Sequence, residues 1–155
     1  MIDLSPTDAQ RDLQETARSF AQREIAPVVE AVYALDGHAV DPWPLVRPAF
    51  AKAGELGLLS LLVPEADGGG GSSCIDAAIV FEELGAVDVA VAASVFSLTA
   101  TMTQLLARAG TPAQKERWLE PVRSGRPLLY SGALSEPNRA GSDLFYPEPD
   151  RPQFS

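Results

Sequence analysis

At 155 residues, 46% hydrophobic and 21% charged, the chain has the size and composition of one ordinary globular domain, with nothing fibrous or collagenous about it. Its net charge of -9 argues against nucleic-acid partners, whose affinity comes largely from Lys and Arg displacing condensed counterions. Cys74 is the only cysteine, which excludes an intramolecular disulfide and a thiolate zinc site and fits a reducing, cytoplasmic setting.

The opening stretch MIDLSPTDAQRDLQE is acidic and lacks a basic region followed by an apolar core, so no secretory signal is expected. Ser5-Pro6-Thr7-Asp8 predicts a helix that starts at residue 6, with Ser5 as cap, Pro6 in the first helical position and Asp8 at the positive end of the dipole. Leu13, Ala17, Phe20, Ala21 and Ile25 then form one apolar stripe on a 3.6-residue period, opposite a wet face of Arg11, Gln14, Glu15, Arg18 and Glu24. Pro27 is expected to interrupt the backbone bonding, with a short second helix over 28–35 that stops at Asp36-Gly37.

Asp41-Pro42-Trp43-Pro44 opens a helix over 45–53, with Pro48 in its first turns. Residues 58–63 are a nearly all-apolar run ended by Pro64, read as a buried connector. Residues 65–73, with four consecutive glycines at 68–71, must be a turn or loop. From Ser73 a helix is marked by Ile75, Ala78, Ile79, Glu82, Glu83 and Leu84 and stops at Gly85.

A further helix is expected over 87–109, ending at Gly110. Residues 89–107 are free of charge and about as long as a bilayer span. Their serines, threonines and Gln104 make them too polar for a lipid-facing helix, so a buried helix and no membrane partner are expected. Thr111-Pro112-Ala113-Gln114 reads as a capping box that opens a helix through Leu119, closed by Pro121 and Gly125. Residues 128–134 are the one convincing strand candidate, and the tail from Glu136 is rich in Pro, Asn and Gly.

Four segments in order then resemble one family. Residues 20–27, FAQREIAP, look like the end of the first helix of acyl-CoA dehydrogenases. LLSLLVPEADGGGG at 58–71 is similar to that family's Gly-Leu-Leu…Val-Pro-Glu-x-x-Gly-Gly stretch, and GTPAQKERWL at 110–119 to its Gly-Thr-x-x-Gln-Lys segment. Ser135-Glu136-Pro137-Asn138-Arg139-Ala140-Gly141-Ser142-Asp143 resembles its Thr-Glu-Pro-x-Ala-Gly-Ser-Asp signature, with Ser135 in place of threonine and Arg139 as an added residue.

The resemblance implies a mainly α fold: an up-and-down bundle of about five or six helices over 1–126, then a short β segment at the start of a β-domain and an irregular tail over 127–155. It implies FAD, with Gly132, Leu134, Ser135, Gly141 and Ser142 as cofactor contacts and Ser142 also at the acyl-CoA substrate. In that family a carboxylate removes the α-proton of an acyl-CoA thioester and the β-carbon passes a hydride to the flavin. The base is a glutamate in or near the C-terminal helical domain, so no residue here is assigned to that role. After Asp143, LFYPEPDRPQFS no longer resembles the family, and a truncated or frameshifted reading frame is the expectation.

Other motifs carry simpler readings. The glycine run lacks the G-x-x-x-x-G-K pattern of a phosphate loop. Glu82 and Glu83 are adjacent on a helix, so one should face solvent. His38 is expected in a polar surface loop, and Trp43 and Trp118 as core or interface anchors. Three functions follow: a dehydrogenase completed by a longer product or a partner chain, a non-catalytic helical module that pairs with a related dehydrogenase, or a related flavin oxidase or monooxygenase. Apolar faces that normally pack on later domains predict a homo-oligomer, or a hetero-oligomer with a related chain.

Overall fold

The computed structural model describes residues 5–35, 41–124 and 126. Among them lie five helical runs, over 8–33, 43–55, 74–85, 89–109 and 112–123, and no strand. The mainly α expectation holds. The β segment expected at 128–134 lies outside the described residues.

The first run is α1 (Asp8–Phe20), a π-helical segment (Ala21–Ile25) and α2 (Ala26–Tyr33). Its cap is Thr7 and not Ser5: the Thr7 Oγ1 accepts the Gln10 amide at 3.2 Å while Gln10 Oε1 accepts the Thr7 amide at 3.0 Å. A hydroxyl three residues before a glutamine closes both bonds of a capping box, which moves the start from residue 6 to residue 8. Ala17, Phe20, Ala21 and Ile25 are all buried, as their spacing predicts, and Leu13 packs against them.

Pro27 does not break this helix. The Ala26 amide reaches back five residues to the Ala21 carbonyl, and the wider turn sets Pro27 in the opening positions of α2, where a missing N–H leaves no bond unmade. The same device recurs at the last run, which joins α7 (Pro112–Gln114), a π-helical segment (Lys115–Leu119) and α8 (Glu120–Arg123). There the Glu120 amide bonds the Lys115 carbonyl just before Pro121. The helix expected to close at Pro121 therefore runs to Arg123.

α3 (Trp43–Glu55) starts at the Asp41-Pro42 signal, two residues earlier than expected, and carries Pro48 inside it rather than in its first turn. Leu58, Leu59, Ser60, Leu61 and Val63 are buried, so the connector reading holds, built around a short 3-10 turn (Leu58–Ser60). α4 (Cys74–Gly85) ends at the expected Gly85. It buries Ala77, Val80 and Leu84 and leaves Ile75 64% exposed, so of the apolar residues that mark the helix in sequence Leu84 is buried and Ile75 is not.

The fourth run is α5 (Val89–Phe96), a π-helical segment (Ser97–Met102) and α6 (Thr103–Ala109). Among the described residues it is the one helix long and apolar enough to cross a membrane. One stripe of it, with Ala92, Val95, Leu98, Thr99, Thr103 and Ala107, is buried in the fold. The Thr99 hydroxyl donates to the Leu58 carbonyl at 2.9 Å and the Thr103 hydroxyl to the Thr99 carbonyl at 3.0 Å, so the buried polar atoms of that stripe are satisfied within the protein.

Side-chain ties set the helix directions. The Gln10 amide donates to Asp76 at 2.9 Å and Arg18 clasps Glu83 through two bonds of 2.8 and 2.9 Å, which makes α1 and α4 parallel neighbours. Phe81 meets Phe96 edge to face, with ring centres 5.1 Å apart, at the opposite end of α4 from Cys74, so α5–α6 runs antiparallel to α4.

Candidate functional site

The antiparallel pairing of α4 with α5–α6 leaves an open groove of about 630 Å³ between them. α4 is fixed at its start by a second capping box: Ser73 Oγ accepts the Asp76 amide at 3.2 Å, and Asp76 accepts the Ser73 amide at 2.8 Å. α5 is fixed by Asp88, which accepts the Val91 amide at 2.8 Å and the Tyr33 hydroxyl at 3.0 Å. With Thr99 and Thr103 turned inward, the row Phe96, Ala100, Gln104 and Arg108 faces the groove.

Ala77, Phe81, Phe96 and Ala100 make the walls apolar, and the polar side chains gather at one end. There Gln104 Oε1 accepts from Arg108 Nε at 3.3 Å, while Gln104 Nε2 is buried and has no hydrogen-bond partner. Ser72 and Cys74 complete that end. No carboxylate lines the groove, although the chain carries a net charge of -9. A second cavity of about 400 Å³, between α2, α3 and α5, is ringed by valines and aromatics but holds Asp41 and Asp88.

The perturbed acids lie elsewhere and hold the scaffold. Glu83, with its side chain 11% exposed, is held below the usual glutamate range by its bonds to Arg18 and Gln14. Asp76 is lowered by the Gln10 amide and by Ser73. The reading of Glu82 and Glu83 as a split pair is correct: Glu82 is exposed and Glu83 pairs across to α1.

The glycine run is no phosphate cradle. The amides of Gly69, Gly70 and Gly71 donate to the carbonyls of Pro64, Ser60 and Val63, so none is left to bind an anion. A Cβ on Gly69 would overlap Val63, which is why the loop needs glycine there. Lys115 pairs with Asp67 at 2.8 Å and pins the loop to the last helical run.

Gly132, Leu134, Ser135, Gly141 and Ser142, the residues that the family resemblance assigns to flavin and thioester, lie outside the described residues, as does His38. Sequence reasoning missed Gln104 and Arg108, although their spacing from Phe96 and Ala100 in steps of four was a signal that they share a helix face.

The acyl-CoA dehydrogenase N-terminal domain family matches residues 7–126 of the chain. The chain belongs to this family. An acryloyl-CoA reductase (NADH) of Anaerotignum propionicum is 35% identical over 142 residues, 92% of this chain and 34% of that protein. A cyclohex-1-ene-1-carbonyl-CoA dehydrogenase of Syntrophus aciditrophicus is 37% identical over 139 residues, 89% of this chain and 31% of the relative. Among solved structures, the nitroalkane oxidase of Podospora anserina superposes with a TM-score of 0.75 at 28% identity, covering 96% of this chain and 35% of that one. This acyl-CoA dehydrogenase family chain thus spans about a third of the length of the proteins it matches.

Proposed function

We propose that the chain supplies the helical wall of a flavin-dependent site that exchanges hydrogen at the α,β-bond of an acyl-CoA thioester, with the acyl chain lying in the groove between α4 and α5–α6. The observation that carries this is the groove itself: apolar, free of carboxylates, and built within the segment that matches the family's N-terminal domain. An aliphatic acyl chain gains by contact with Phe81, Phe96 and Ala100, and a nearby carboxylate would only cost free energy on desolvation.

FAD, when bound, supplies the redox chemistry. By family resemblance Gly132, Leu134, Ser135, Gly141 and Ser142 hold it, with Ser142 also at the thioester. Proton removal needs a base within hydrogen-bonding reach of the α-carbon. Among the described residues the groove offers none, so the base comes from another segment or chain. One relative is named as a reductase and another as a dehydrogenase, which supports chemistry at the α,β-bond without fixing its direction.

A second reading, a flavin oxidase of a smaller substrate, is favoured by the likeness to nitroalkane oxidase. Ligand-observed saturation-transfer NMR on the purified protein separates the two. Transfer to the acyl protons of a short acyl-CoA, lost when Ala100→Trp fills the groove, is expected. Transfer to a nitroalkane and to no thioester overturns the first reading. The chain alone is also expected to reduce no dye with acyl-CoA, and unaided turnover would overturn the placement of the base outside the groove.

A further inference from the structure

We infer that the second cavity, between α2, α3 and the start of α5, binds a small organic ammonium ion with an apolar body. It encloses about 400 Å³, a volume that suits a small ligand, and it is separate from the groove. Ala90, Val91 and Ser94 of α5 line the cavity, whereas Phe96 and Ala100 line the groove.

Two acids line the cavity and no base does. Asp88 is only 8% exposed, and the donors to its oxygens are neutral: the Tyr33 hydroxyl at 3.0 Å and the Val91 amide at 2.8 Å. These donors satisfy its hydrogen bonding but bring no positive charge. Asp41 accepts the Trp43 amide at 2.9 Å, and among the described residues neither acid has a basic partner. A ligand that enters between them is therefore selected by charge.

The rest of the wall selects the kind of cation. Trp43 and Phe50, with ring centres 5.9 Å apart and planes tilted by 58°, share the lining with Tyr33 and a row of valines. Aromatic faces attract an alkylammonium head, and the valines favour a ring or alkyl body. A bare metal ion suits the cavity poorly, since a hard cation takes six or so oxygens and the described residues hold no group of three acidic, His or Cys ligands. A neutral apolar ligand would cover Asp88 without answering its charge, and an anion would meet two like charges.

Trp43 and Trp118 are the two tryptophans, and Trp118 does not line the cavity, so in Trp118→Phe the emission of Trp43 reports on it. Titrating benzyltrimethylammonium into that variant is expected to change the emission saturably, with benzyl alcohol roughly tenfold weaker and phenylacetate not saturating. Asp88→Asn keeps an oxygen to cap α5 and removes the charge, so it should weaken the ammonium several-fold and leave benzyl alcohol unchanged. Asp41→Asn should act in the same direction, and it carries the charge test if the Asp88 variant does not fold. Equal saturation by the ammonium and the alcohol, or an ammonium affinity that neither substitution lowers, overturns the selection by charge. No saturable change with any of the three probes overturns the site.

Discussion

Gln104 holds the one buried side-chain nitrogen without a partner among the described residues. A group in that state costs its desolvation and returns no hydrogen bond. Gln104→Leu is therefore expected to stabilise the unliganded protein by about 1 kcal/mol, seen as a higher urea midpoint at unchanged slope; a lower midpoint would show that the amide already has a partner. Glu83 behaves in the opposite way, because its native partners favour its charged form. Its pKa is lowered on folding, so the stability it contributes is present above the ordinary glutamate pKa of about 4.3 and drains away as pH falls through the lower native value. Glu83→Gln should flatten the acid limb of a stability–pH curve below about pH 5. An unchanged limb would assign acid sensitivity to Asp76, the other acid lowered in the α1–α4 seam.

At the scale of elements, the two capping boxes at Thr7 and Ser73 do more than end their helices. Asp76, the closing residue of the second box, also takes the amide of Gln10, the closing residue of the first, so the starts of α1 and α4 are tied together. Ser73→Ala should cost about 1 kcal/mol and speed hydrogen exchange in the first turns of both helices. Exchange that changes in α4 alone would show that the tie carries no coupling. The loop before α4 depends on close backbone approach instead. Gly69→Ala should be more damaging than the cap mutation, because its Cβ meets the backbone of Val63 and not a movable side-chain end. A thermal unfolding temperature within a degree or so of the parent would contradict that contact.

Over the whole molecule, apolar side chains on several helices face outward: Ile75 on α4 is 64% exposed, Phe96 on α5 45% and Leu105 on α6 59%, and the last two line the groove. An apolar face of this kind drives association or partner binding. Size-exclusion chromatography with light scattering is expected to show self-association, or a monomer that binds an apolar dye. A monomer that binds no dye would mean that this face is covered in solution. The net charge of -9 opposes association of like chains, so raising the salt concentration should favour the associated form if that face drives it.

The sequence by itself determined the helical class, the buried stripe of α1, the capping box at Thr111, the buried connector at 58–63 and the family, because these rest on local hydrogen bonds and on periodicity within one segment. It misjudged both prolines, since Pro27 and Pro121 are tolerated only through a five-residue backbone reach that composition does not announce. The residues it assigned to flavin belong to a motif read by resemblance and lie outside the described region. Tertiary structure alone decided the groove. Antiparallel packing of α4 on α5–α6 brings Phe81 to Phe96 and Cys74 to Arg108, and a spacing rule within one helix carries no information about which face meets a neighbour.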